Sequence, residues 1–116
     1  QGGEAQLLEN CLQQALPVHL KKGKKKDTQN VLSLLITEKS EQLPTSESYT
    51  LSVTPERILI QATSGAGLFY GIQTLLQLSA SGAGTTVPAV EVQDTPRFAY
   101  RGLMLDVSRH FFTKEL

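Results

Sequence analysis

The residues able to do chemistry crowd into one stretch, Pro96 to Phe112, in which Arg101, Ser108, Arg109 and His110 flank the apolar run Leu103-Met-Leu-Asp-Val107 and Asp106 is its single acid. Such a run predicts a buried strand with polar groups at both ends, opened by a proline that cannot donate to a sheet ladder. Ser108, Arg109 and His110 do not make a nucleophilic triad, because neighbouring residues at a strand end diverge and a serine needs its base across space. Paired carboxylates would have to come from Asp94, Asp106 and Glu115, and nothing in their spacing sets two of them face to face. A complete catalytic set is therefore absent. A strand buried on both faces needs helices or further strands around it, so this stretch is expected to begin a larger unit.

Composition narrows the remaining classes. With 11 basic and 11 acidic residues in 116, the formal net charge is zero and gives no general attraction to nucleic acid. Cys11 is the sole cysteine and His19 and His110 the only histidines, which argues against a metal centre. Cys11 is read as a small apolar filler. No cofactor is expected. No stretch approaches the roughly 20 apolar residues of a membrane-spanning helix.

The elements that must position these residues follow from periodicity. Leu8, Cys11, Leu12, Ala15 and Leu16 form the stripe of an amphipathic helix over residues 4–16, ended by Pro17. Lys21 to Lys26, five lysines around Gly23, predict a solvated loop. Asn30 to Glu38 is β-rich and apolar enough for an interior strand, and residues 43–47 are turn material. Tyr49, Leu51 and Val53, then Ile58 and Ile60 beyond a turn at Pro55-Glu56-Arg57, predict an antiparallel hairpin with one face on a core. Ser64 would cap a helix whose Leu68, Ile72, Leu75, Leu76 and Ser79 share a face. That helix is expected to end in the loop 81–85, before a short strand Val87 to Val92 and a turn at residues 93–96.

Gly65, Gly67 and Gly71, at the head of that helix with Glu91 about 20 residues farther on, outline a dinucleotide-binding turn. The preceding strand alternates, as a half-exposed antiparallel strand does, so the glycines are better read as permitting close packing of helix on sheet.

Residues 64–78 and 94–112 together resemble the β-N-acetylhexosaminidases of glycoside hydrolase family 20, the second through its Arg-Gly-Leu-Met-Leu-Asp-x-Ser-Arg-His-Phe pattern. The resemblance implies an α+β fold, an antiparallel β-sheet with two helices on one face, in a zincin-like non-catalytic domain over residues 1–95. Residues 96–116 would be the linker and first strand of a catalytic (β/α)8 barrel that continues beyond Leu116. It implies that Arg101 binds sugar hydroxyls of a terminal N-acetylhexosamine, with Asp106, Arg109 and His110 supporting the barrel mouth. The family's aspartate–glutamate pair, which serves substrate-assisted retaining hydrolysis, would lie outside these residues, so no catalytic residue is expected here. The partners implied are a glycan substrate and the barrel, in a secreted or periplasmic enzyme. A free-standing α+β interaction module, binding an anionic partner through Lys21 to Lys26, is the alternative.

Overall fold

A computed structural model of the protein describes residues 29–81 and 86–109, with Asn10, Gln13, Phe111 and Thr113. Four strands and a helix follow one another as β1 (Val31–Ile36), β2 (Tyr49–Val53), β3 (Arg57–Ala62), α1 (Gly65–Ser81) and β4 (Val90–Asp94). The expected helix over residues 4–16, with Cys11, and the lysine loop 21–26 fall outside the described residues, Asn10 and Gln13 apart.

The hairpin forms the middle of the sheet. Its turn closes where Thr54 N donates to the Arg57 carbonyl at 2.9 Å and the Thr54 hydroxyl accepts from Arg57 N at 3.2 Å. The strand order is β1-β3-β2-β4. β2 is antiparallel to both β3 and β4, but β1 lies parallel to β3, so the sheet is mixed and not antiparallel throughout. The reason is the connection over residues 37–48: it leaves β1 at the end where Ile36 faces Ala62 and starts β2 at the same end, where Tyr49 faces Ala62. β3 then inserts between the two. Alternation of apolar residues reads the same in either direction.

β1 is therefore an edge strand of the described sheet and not the interior strand its composition suggests. Leu35 and Ile36 at its end are 45% and 63% exposed. Asn30, in the left-handed region at φ 53°, opens the strand, and its N–H reaches the Glu56 carbonyl at 2.6 Å. β4 also differs from expectation. It starts at Val90, and Gln93 and Asp94, expected in a turn, continue the ladder opposite Thr50 and Tyr49.

Register explains the core. Leu34, Ile60, Leu51 and Val92 form one row across all four strands, and Leu32, Ile58, Val53 and Val90 form the next. Successive side chains alternate between faces, so both rows lie on one face. There α1 packs Leu68, Ile72 and Leu75 against Leu51, Ile60 and Ala62. Ser64 caps the helix as expected, its hydroxyl accepting from Ala66 N at 3.1 Å. The helix runs to Ser81, to the edge of the loop expected from that residue on.

Gly67 and Gly71 set the depth of that packing. A Cβ on Gly71 would come within 2.6 Å of Ile60 Cγ2, and one on Gly67 would strike the Ser48 carbonyl oxygen. The glycine pattern is a packing device.

The run Leu103 to Val107 is not a strand. Leu103 and Met104 are 95% and 92% exposed, and among the described residues nothing pairs with the run. β-propensity records how a side chain fits a pleated, half-buried surface, and without a neighbouring strand such a run has no ladder to join.

Candidate functional site

Arg101 lies where the segment leaving β4 passes the helix, and it is held there from three sides. Its Nη2 donates to Glu47 Oε1 at 2.8 Å and to the Tyr70 hydroxyl at 3.2 Å, while Nη1 donates to the Phe98 carbonyl. The Tyr70 hydroxyl in turn donates to Glu47 Oε1 at 3.2 Å, closing a triangle. The guanidinium also sits 5.7 Å from the centre of the Tyr70 ring, within range of a cation–π contact. The hydrogen bond to Glu47 pushes its already high pKa further up, so the group stays cationic.

The loop before β2 aims Glu47. Its neighbour Ser48 is fully buried, and the Ser48 hydroxyl meets Thr45 Oγ1 at 2.7 Å and accepts from Thr45 N at 3.1 Å and Thr95 Oγ1 at 3.1 Å. Thr63 ties the same loop to the end of β3 by donating to the Thr45 carbonyl at 2.8 Å. One buried serine thus joins the loop carrying Glu47 to the segment carrying Arg101.

Beside this triangle lies an open cleft of about 330 Å³. The helix lines it with Tyr70, Gln73, Thr74 and Gln77, and Glu47, Asp94 and Arg101 face them. Deeper in, Tyr49 and Thr74 share a hydrogen bond of 2.6 Å between hydroxyls. Burial pushes the Tyr49 phenol above its usual range, and the Asp94 carboxylate adds to the rise. Such a site can anchor and orient polar groups. Proton transfer is not what it is arranged for, since Glu47 is already bound by a guanidinium and a phenol.

Of the residues singled out from sequence, Asp106 and Arg109 lie away from the cleft, in a turn. Asp106 Oδ1 accepts from the backbone N–H of Ser108 at 3.0 Å and of Arg109 at 3.3 Å, and the two side chains pair at 3.4 Å. His110 and Glu115 fall outside the described residues. Glu47 and the polar helix face escaped the sequence reading, although Tyr70, Gln73, Thr74 and Gln77 carry a legible signal: they recur at i, i+3, i+4 and i+7.

Residues 1–95 match the family model described as glycosyl hydrolase family 20, domain 2. The chain belongs to glycosyl hydrolase family 20. Within this family it is 53% identical over 77 residues to a β-N-acetylhexosaminidase of Cellulomonas fimi, covering 64% of this chain and 16% of that protein. It is 33% identical over 100 residues to the β-hexosaminidase subunit alpha of Bos taurus, covering 82% of this chain and 19% of the other. The solved family 20 β-N-acetylhexosaminidase of Streptomyces coelicolor A3(2) superimposes with a TM-score of 0.73 at 32% identity, over 97% of this chain and 24% of its own. The chain spans less than a fifth of the length of these curated relatives. As a family 20 second domain it is a non-catalytic part, in keeping with a site built to hold and not to react. Among the described residues no helix is long and apolar enough to cross a membrane.

Proposed function

We propose that this chain is the accessory domain, with the start of the catalytic barrel, of an exo-β-N-acetylhexosaminidase that removes terminal N-acetylhexosamine from glycans. The family match over residues 1–95, with hexosaminidases as relatives, is the observation that carries the reading. In this reading residues 1–95 are the zincin-like domain, and residues 96–116 are the linker and the segment that becomes the first barrel strand once barrel neighbours pair with it. The exposed Leu103, Met104 and Leu105 support this division, since an apolar run so open to water is suited to pairing inside a barrel. The domain braces the barrel by packing, and the barrel supplies the aspartate–glutamate pair for substrate-assisted retaining hydrolysis. Arg101 belongs to the first sugar subsite in this reading, where the Nε–H and the second Nη1–H, beyond the donors taken by Glu47, Tyr70 and the Phe98 carbonyl, serve sugar hydroxyls. The enzyme is secreted or periplasmic.

The test is release of a chromogenic aglycone from its N-acetyl-β-glucosaminide, comparing residues 1–116 with the gene product extended through a full barrel. Activity in the extended protein and none in the 116 residues is expected. Hydrolysis by residues 1–116, or by neither protein, would reject the reading.

A further inference from the structure

We infer that Glu47 and Tyr70 form a socket for Arg101 that fixes the path by which the chain leaves the accessory domain. The pair of Arg101 and Glu47, with side chains 43% and 30% exposed, is screened by water and does little for the stability of the sheet. Its effect is geometric. Three hydrogen bonds and a ring contact converge on one guanidinium, and a planar, forked group held at several points is fixed in orientation as a single point charge is not. The socket is itself well founded. Glu47 precedes the buried Ser48, and Tyr70 stands beside Gly71, whose Cα packs on Ile60 and Tyr49.

The contact to the Phe98 carbonyl extends the effect along the chain. It folds residues 98–101 back on the guanidinium, so the backbone just before Gly102 is anchored to the helix although it belongs to no strand. Only Gly102 separates Arg101 from the apolar run, and the anchoring of Arg101 sets where that run begins. Glu47 and Tyr70 are thus positioning residues that act through Arg101. The consequence for a barrel rests on the reading above, whereas the socket is a property of these 116 residues and can be tested in them.

The test is backbone ¹⁵N relaxation of the amides of residues 98–102 in the 116-residue chain. In the native sequence these amides are expected to approach the order parameters of rigid backbone, about 0.85, and in Glu47→Gln and Tyr70→Phe to fall toward the flexible range below about 0.6. Amides of β2 and β3 should stay unchanged, which also reports that each variant is folded. Arg101→Lys, which keeps the charge and loses the planar fork, should lower the order as well. Order that is low in the native chain, that survives Glu47→Gln, or that survives Arg101→Lys overturns the socket. None of these readouts depends on hydrolysis, so failure of the socket and failure of the glycosidase reading are separately visible.

Discussion

The Cα of Gly67 lies against the carbonyl oxygen of Ser48, leaving no room for a methyl group between helix and loop. A Cβ there would also come 2.8 Å from the Ala62 Cβ. Replacing a helical glycine by alanine ordinarily stabilises by about 0.5–1 kcal/mol, whereas overpacking costs about 1–3 kcal/mol. The clash should win, because a backbone carbonyl cannot rotate aside as a long side chain can. Gly67→Ala is expected to lower the urea midpoint. Gly71→Ala should do so by less, since it meets side chains, Ile60 and Tyr49. A midpoint that rises in Gly67→Ala would contradict this packing.

Ser48 contributes through its hydroxyl. In Ser48→Ala the Thr45 N–H and the Thr95 hydroxyl both lose an acceptor, but Thr45 and Thr95 are exposed residues, so water can take its place. A hydrogen bond replaced in this way contributes about 0.5–1.5 kcal/mol, and thermal melts of the variant should show a loss of that order. An unchanged melt would mean that the hydroxyl network is dispensable.

Tyr49 predicts an alkaline limit to stability. Burial, followed by the Asp94 charge, raises its pKa in the folded chain above the value of about 10 of an exposed phenol. A raised folded pKa means that the folded state keeps its proton longer. The stabilisation is fully present below pH about 10 and is lost as pH climbs through the folded pKa. Tyr49→Phe cannot ionise, so its urea midpoint should fall less than that of the native chain between pH 9 and pH 11. At neutral pH the variant should be weaker by about 1 kcal/mol for the lost bond to Thr74. Parallel decline of both proteins with pH would exclude Tyr49 as the titrating group.

Burial separates two sets of apolar residues that look alike in sequence. Ile72 is fully buried between helix and sheet, and Ile72→Ala should cost about 2–5 kcal/mol in chemical denaturation. Leu103→Ala should lie within about 0.5 kcal/mol of the native chain, because Leu103 is 95% exposed. A large loss from Leu103→Ala would show that residues 103–107 pack on the domain in solution.

The sequence by itself determined the elements whose signals are local. The alternation of Tyr49, Leu51 and Val53 with polar neighbours specified a half-buried strand, the Pro55 turn joined it to β3, and Ser64 with the stripe Leu68, Ile72 and Leu75 specified the helix and its cap. The Arg101-Gly-Leu-Met-Leu-Asp pattern with residues 64–78 was enough to identify the family. Only the tertiary structure decided the rest, because it depends on partners far apart in the chain. β1 became a parallel edge strand through the span of residues 37–48, which no local pattern encodes. Glu47 lay in unremarkable turn residues until the fold set it 2.8 Å from a guanidinium 54 positions later. Leu103 to Val107 carries the composition of a buried strand, yet burial needs a surface to supply the other side, and these residues find none within the described chain.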